Sequence, residues 1–180
     1  MASKPKSLQY YRIVNDDSIN NYRYLLSFKS RNNPISESVS IILMNPSKAG
    51  LYNNVEKVDR TIGKVLCWCN SNGYNKVDIL NLFPYREPDP ENLIKLKSNI
   101  LMGDYQKCNQ IIKDTCDTVD KIIIAWGNCE GIVPSIVQER VEYIFSLLDI
   151  NKVFHVGEKT ETGNPRHGRM WNGNPTLNKW

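Results

Sequence analysis

The stretch Lys121-Ile122-Ile123-Ile124-Ala125-Trp126-Gly127 decides the fold class. It is a continuous apolar run that stops at a glycine, which is typical of a parallel strand buried on both faces of a sheet. Further strands are predicted at Val39–Met44, Lys76–Phe83 and Lys152–Gly157. Segments with helical spacing separate these strands, so the order of elements predicts an α/β fold with a mostly parallel sheet covered on both faces.

The helical segments are recognised by apolar residues that recur every three or four positions. One begins at Val58 and stops before Asn72-Gly73, and another runs from Val133 to Leu148. Between them, the apolar residues that follow the turn PYREPDP predict one long or two short helices. Near the amino terminus, the strand Tyr22–Phe28 can form an antiparallel hairpin with Val39–Met44. We expect one three-layer α/β/α domain over residues 1–180, with this N-terminal antiparallel strand added to the sheet.

Length and composition are those of an ordinary globular domain. A chain of 180 residues with 41% hydrophobic content is large enough to bury roughly 70% of the surface that its unfolded form exposes. There is no signal peptide pattern and no apolar run near the roughly 18 residues of a membrane span, so we expect a cytoplasmic protein without membrane contact. We also expect a monomer.

The five cysteines form no CxxC pair, and their number is odd. The pattern therefore indicates neither a disulfide framework nor a zinc ribbon, and we expect reduced, mostly buried thiols. An iron–sulfur cluster held by four of them is the alternative, with an unusual spacing. We expect no metal and no cofactor.

The net charge of +4 is unevenly distributed along the chain. Residues 1–31 carry 6 basic and 2 acidic groups, and residues 151–180 carry 5 and 2. If the two ends fold onto one face, they make a surface for a polyanion; a solvated basic tail is the alternative.

Polar residues follow the predicted strands at the edge where α/β sheets bind their ligands. Asn45-Pro46-Ser47 follows one strand, and Asn81 precedes Phe83, Tyr85 and Arg86 after the next. Proline restricts Asn45 to an extended conformation, which suits an amide that positions a water or a carbonyl group; an ordinary turn looks the same.

The residues after the second strand have both a functional and a structural interpretation. The Asn81 amide can read the edge of a planar base or cap the next turn. Phe83 and Tyr85 can stack on a base or belong to the core. Arg86 can contact phosphate or lie on the surface as an ordinary arginine.

The loop Gly163–Arg169, GNPRHGR, is the strongest candidate for an anion site. It places His167 between Arg166 and Arg169, and two neighbouring cations favour the neutral imidazole, which can still donate a hydrogen bond. A histidine in a mobile tail is the competing interpretation. The chain has no P-loop, GxGxxG, HExxH or GxSxG motif, which argues against nucleotide triphosphatases, Rossmann dehydrogenases, zincins and α/β-hydrolases.

Together these motifs resemble a known but uncharacterised family. MNPS, Asp59-Arg60-Thr61, NLFPYREPDP, AWG and TETGNPRH resemble the bacterial and phage family called domain of unknown function sixteen forty-three, from about Tyr22 to His167. This resemblance implies no activity.

The same order of motifs also resembles the uracil-DNA glycosylase superfamily, which has an α/β/α fold. That resemblance implies that Asn45 positions the hydrolytic water, that Asn81 reads a flipped base with Pro46, Ser47, Phe83 and Tyr85 around it, and that His167 stabilises the departing base. Phosphate contacts would come from Arg86, Asn164, Arg166 and Arg169. Asn164-Pro165 is an alternative register for the late motif.

Three departures from that superfamily bear on the substrate. Ser47 replaces a usual glycine, Gly168 replaces a usual proline, and no aspartate follows the first strand. Uracil is therefore not the expected base.

The expected function is that of a DNA glycosylase acting on a flipped nucleotide with a modified or damaged base, in repair or in defence against phage DNA. Two alternatives remain: a non-catalytic nucleic-acid or nucleotide-binding module, and a hydrolase of small nucleosides or nucleotides. An extended basic surface would distinguish DNA binding from the last of these.

Overall fold

A computed structural model describes residues 5–34 and 37–180 of the chain. Within these residues, seven strands form one mixed sheet in the order β1-β2-β6-β3-β7-β8-β9, and β4 and β5 pair separately. The strands are β1 (Tyr11–Ile19), β2 (Tyr22–Ser30), β3 (Ser38–Leu43), β4 (Gly50–Tyr52), β5 (Val55–Lys57), β6 (Lys76–Asn81), β7 (Lys121–Ile124), β8 (Val153–Val156) and β9 (Leu177–Lys179).

The predicted alternation of strands and helices is confirmed in the centre of the sheet. Strands β6, β3, β7 and β8 are neighbours and run parallel. At the edges, β1, β2 and β9 run antiparallel to their neighbours. The observed class is a mixed α/β fold with a parallel centre and antiparallel edges.

The predicted hairpin between Tyr22–Phe28 and Val39–Met44 is wrong. Strand β2 pairs with β1 on one side and with β6 on the other, so β6 separates it from β3. The actual hairpin joins β1 to β2 through Asn20-Asn21, where Asn20 has a φ of 52°. Asparagine tolerates this left-handed conformation, which two-residue hairpin loops need.

Six α-helices lie in the described residues: α1 (Lys6–Tyr10), α2 (Arg60–Ser71), α3 (Pro90–Leu93), α4 (Ser98–Met102), α5 (Tyr105–Thr118) and α6 (Pro134–Leu147). Helix α2 begins at Arg60 rather than at the predicted Val58, because the Asp59 side chain caps it by accepting a hydrogen bond of 2.9 Å from the Ile62 amide. The segment after PYREPDP contains three helices rather than one or two. It is interrupted at Gly103, whose φ is 52°, and restarts at Asp104, which caps α5.

Apolar residues from alternating strand positions form two hydrophobic clusters. Ile41 and Ile79 pack with α2 in one cluster. Ile42 and Leu80 pack with α5 and α6 in the other. Because neighbouring positions of a strand point to opposite faces, this division explains why the central strands are apolar throughout. Within the described residues, no helix is long and apolar enough to cross a membrane.

Candidate functional site at the carboxyl edge of the sheet

The ends of three adjacent strands bring the predicted site segments to one edge of the sheet. Strands β6, β3 and β7 are neighbours in that order, and Leu43 pairs with Asn81 in the parallel register. Asn81, the Asn45 loop and the Trp126–Asn128 segment therefore follow one another along the carboxyl edge. This is the edge where sheets of this kind bind ligands.

The Asn45 side chain has one end bonded and the other free. Its Nδ2 donates to the main-chain carbonyl of Glu87 at 2.6 Å, with longer contacts to the carbonyls of Tyr85 and Pro46. Carbonyl oxygens only accept, so the amide nitrogen must face this loop. Asn45 is half-buried, and its Oδ1 has no hydrogen-bond partner within residues 5–34 and 37–180. The arrangement leaves an oriented acceptor at the end of β3.

The Asn81 side chain, in contrast, is buried with both ends of its amide free. Its side chain is only 1% exposed, and neither Oδ1 nor Nδ2 has a hydrogen-bond partner among the described residues. A buried polar group without a partner costs about 1–3 kcal/mol, so native proteins rarely leave one without a water or a ligand. The Asn81 amide has the donor and the acceptor needed to pair with the edge of a bound group.

The loop after β3 is attached to the start of α2. Pro46 is buried, and the Ser47 hydroxyl donates a hydrogen bond to the Asp59 carboxylate, which also caps α2. The same carboxylate is close enough to His167 to act on its pKa. Asp59 therefore connects the loop after β3 to the start of α2 and acts electrostatically on the late loop, residues 157–170, an arrangement that the sequence alone did not reveal.

His167 is held as a neutral imidazole. Burial lowers its pKa to about 4, with a further contribution from the nearby Arg169, while Asp59 acts in the opposite direction. Its Nδ1 accepts a hydrogen bond of 3.2 Å from the Arg169 amide. In the neutral ring the proton must then be on Nε2, so His167 offers an uncharged donor at neutral pH.

Two glycines allow the late loop to approach closely. Gly127 has a φ of 72°, and a Cβ there would be 3.0 Å from Cβ of His167. A Cβ on Gly168 would be 2.8 Å from Val65 Cγ2 in α2. The Gly127 amide also donates to the Pro165 carbonyl at 3.0 Å. The late loop therefore lies directly against α2 and the segment after β7. This close packing explains why position 168 is a glycine.

A cavity of about 380 Å³ lies between β7 and the late loop. Its walls include Met44, Trp126, His167, Arg166 and Arg169, together with the acidic residues Glu130 and Glu161. The indole Nε1 of Trp126 is buried and has no partner among the described residues. Of the predicted site residues, His167, Arg166 and Arg169 share this cavity.

Asn128 fixes the tip of the late loop. Its Oδ1 accepts hydrogen bonds from the hydroxyls of Thr160 and Thr162, both at 2.8 Å, and from Nδ2 of Asn164 at 3.2 Å. The side chain of Asn164, predicted to contact phosphate, is thus engaged in hydrogen bonds with Asn128 and Thr162. The role of Asn128 was missed, although its place after AWG marked it as a strand end.

The other predicted site residues, Asn45 and Asn81 among them, are not in the lining of this cavity. Phe83 is fully buried in the cluster with α5 and α6, and Tyr85 packs edge-on against Tyr22 with ring centroids 5.4 Å apart. Arg86 donates to the Tyr52 hydroxyl at 2.9 Å and to Ser18 Oγ at 2.5 Å, and lies 3.6 Å from Asp16. Their assigned roles toward a base or a phosphate stay predictions.

No group of three or more His, Cys, Asp or Glu side chains within residues 5–34 and 37–180 could hold a metal ion. All five cysteines are free; Cys67 is half-buried and the others are buried. The structure therefore does not assemble the four-cysteine cluster considered as an alternative.

Comparison with known proteins gives a family without an activity. Neither the curated proteins nor the solved structures contain a match to this chain. Residues 23–168 match the family DUF1643, described as "Protein of unknown function (DUF1643)". The match spans most of the chain and agrees with the predicted range from Tyr22 to His167. The chain belongs to the DUF1643 family.

Proposed function

We propose that this protein is a DNA glycosylase-like hydrolase that cleaves the N-glycosidic bond of a modified or damaged base in DNA. The proposal includes a three-layer α/β/α arrangement similar to that of the uracil-DNA glycosylase superfamily. Modified bases of foreign DNA are among its candidate substrates.

The observation that carries the proposal is the neutral His167 at the cavity between β7 and the late loop. Glycosidic cleavage moves negative charge onto the departing base, and a fixed hydrogen-bond donor stabilises that charge. An uncharged Nε2–H can do so without needing to be protonated first. Arg166 and Arg169 line the same cavity and supply positive charge for the phosphates of the extruded nucleotide.

The two asparagines have complementary roles in this proposal. The free Oδ1 of Asn45 accepts a hydrogen bond from a water and holds it for attack on the sugar. The unpartnered amide of Asn81 recognises the edge of the base. The oxygen of the water bonds to C1′ while the C1′–N bond breaks, and the electron pair of that bond leaves with the base. The proton released by the water passes to the base or to solvent.

The reaction depends little on a strong general base. Asparagine is a poor base, and the Asp59 carboxylate is engaged by Ser47 and by the start of α2. The rate must therefore come from an early departure of the base, an oxocarbenium-like sugar and the electrostatic effect of His167.

A base-release assay tests the proposal. The protein is incubated with genomic DNAs that carry different natural modifications, and then with a reagent that cleaves abasic sites. We expect strand breaks and a free base with at least one of these DNAs.

Parallel incubations with free nucleosides and nucleotides separate this function from the alternatives. Cleavage of free nucleotides but not of DNA would replace the proposal with a small-molecule hydrolase. Binding of DNA without any released base would replace it with a non-catalytic module.

A further inference from the structure

A second surface feature is formed by α1, α2 and the segment after Met170, and it shares no lining residue with the cavity. It is a groove of about 650 Å³ between α1, α2 and the segment Trp171–Gly173. We call it the basic groove, and the residues that matter here are Lys6, Arg60, Lys64, Cys67, Trp171 and Asn172.

The charge of the basic groove is strongly one-sided. Lys6, Arg60 and Lys64 line it, and Asp59 is the one acidic residue in its lining. That carboxylate is already bonded to Ser47 and to the Ile62 amide. Helix α2 carries no acidic residue from Arg60 to Ser71.

Two of these cations have no protein partner to neutralise them. Lys6 and Arg60 are exposed, and neither side chain makes a hydrogen bond or an ion pair within the described part of the chain. Some other surface cations are neutralised by a carboxylate, as Arg31 is by Glu56 and Lys113 by Asp117. Unpaired cations gathered along a groove favour a polyanion as the ligand.

The basic groove is joined to the cavity through Lys64. Its Nζ donates to the main-chain carbonyl of Arg169 at 2.7 Å and to Oδ1 of Asn172 at 2.5 Å. Arg169 lines the cavity, and Asn172 lines the groove. The two features have no lining residue in common, but Lys64 connects Arg169 of the cavity lining to Asn172 of the groove lining.

We infer that the basic groove binds the phosphate backbone of the DNA strand that continues from the nucleotide held in the cavity. The inference rests on the proposed function and deepens it, because it assigns the surface that binds the strand beyond the extruded nucleotide. A mononucleotide placed in the cavity has no phosphates to reach Lys6 or Arg60. Selection of a polynucleotide over a free nucleotide would therefore come from this groove.

Cys67 provides a probe within the groove of the unaltered protein. It is half-buried, whereas the other four cysteines are buried, so a small alkylating reagent should reach it first. The rate of its modification by iodoacetamide is measured at pH values above neutral, where more thiolate is present. We expect an oligonucleotide to slow the reaction several-fold and a nucleoside monophosphate to leave it unchanged. The modification should be absent in Cys67→Ser, which would show that the measured alkylation takes place at Cys67.

Removal of the unpaired cations provides an independent test. Log affinity for DNA falls with log salt concentration. In Lys6→Gln/Arg60→Gln, each lost phosphate contact should make this fall less steep by about 1. The matched control is Lys95→Gln/Lys97→Gln, which removes two exposed lysines near the helices on the opposite face of the sheet. We expect the control to retain the wild-type slope.

The outcomes separate this inference from the proposed function. The groove inference is supported if an oligonucleotide protects Cys67 and if the salt slope of DNA binding is reduced in Lys6→Gln/Arg60→Gln but not in the control. Base release from an oligonucleotide with Cys67 unprotected and the slope unchanged would overturn the groove and leave the hydrolase standing. Absence of any DNA binding would overturn the groove, and hydrolysis of free nucleotides would then show what the cavity does.

Discussion

Asn45 is oriented by its own loop, and this orientation makes its function testable. Asn45→Ala removes the free acceptor, whose contribution to the proposed reaction is made mostly in the transition state. We expect base release to fall by roughly 10²–10³-fold, as for other single charge-stabilising or positioning groups, with DNA affinity nearly unchanged.

Single-turnover rates and equilibrium binding of the same DNA would measure the two effects separately. The substitution also removes the contact with Glu87, so thermal unfolding of the variant serves as its control. If Asn45→Ala releases base at the parental rate, the proposed role of Asn45 is wrong and MNPS is an ordinary turn.

Asn81 should show stability and function changing in opposite directions. Asn81→Leu replaces a buried amide that has no partner in the described residues with an apolar side chain of similar size. Because the unmet hydrogen bonds disappear, we expect the free energy of unfolding to stay the same or to rise by about 1 kcal/mol.

Recognition of the base should be lost in the same protein, since the amide is the proposed reader. Urea denaturation and base-release assays measure the two properties. A strongly destabilised Asn81→Leu variant would indicate that the amide has a structural role instead.

The lowered pKa of His167 predicts a specific dependence of the free energy of unfolding on pH. Its pKa is lowered to about 4 in the folded protein, whereas an unfolded histidine titrates near 6.5. Between these values the unfolded chain binds more protons, so the free energy of unfolding should decrease as the pH falls from about 6.5 to about 4. Above pH 6.5 both forms are neutral and the full contribution is present.

Urea denaturation of the wild type and of His167→Gln over this range measures the effect. The variant should lose this part of the pH dependence, while the share from His155, whose pKa is also lowered by burial, should remain. Identical pH profiles for the two proteins would contradict the burial assigned to His167.

The contact of the late loop with α2 can be tested by crowding it. Gly168→Ala would place a Cβ 2.8 Å from Val65 Cγ2, so the loop that carries His167 must move. We expect reduced base release from a folded protein. Val65→Ala in the same chain should restore part of the activity, because it removes the clashing methyl groups.

Gly63→Ala is the matched control on the same helix. An added Cβ at Gly63 meets only Ser7 Oγ, at 3.8 Å, and alanine favours a helix by about 1 kcal/mol over glycine. This variant should keep its rate of base release at saturating DNA and gain stability. Full activity in Gly168→Ala would show that the fit between the late loop and α2 is unimportant.

The sequence predicts secondary structure best where an element is buried. The apolar run of β7 and the amphipathic α2 and α6 were found within a few residues of their true limits, because burial imposes a clear periodicity. Strand β1 was missed because its pattern, YRIVNDDSI, is half-exposed and carries two adjacent aspartates. The signal that could have revealed it is Asn20-Asn21, a turn between two residues with high strand propensity, Ile19 and Tyr22.

The arrangement of the whole molecule was predictable in its centre and not at its edges. Parallel strands with crossover helices follow from the alternation of patterns. Which strand forms each edge depends on contacts between segments that are distant in the sequence. Strand β2 therefore pairs with β6 and not with β3. Burial of the Arg23 side chain likewise has no local signal in the sequence.

The candidate site was predicted in part for the same reason. Strand ends and the proximity of charged residues in GNPRHGR pointed to the cavity edge, because both are local in sequence. The contacts of Asp59 with Ser47 and of Asn128 with Thr160 join distant segments, and only the folded chain brings them together.

Cleavage of a glycosidic bond is the central claim, and direct analysis of the products tests it. DNA that gives strand breaks in the base-release assay is incubated with excess protein, and free bases and abasic sites are quantified by mass spectrometry. The account predicts one chemically unaltered free base for each abasic site, formed by the wild type and almost absent with Asn45→Ala. Bound DNA that yields no free base, or a base altered while still attached to its sugar, would contradict it.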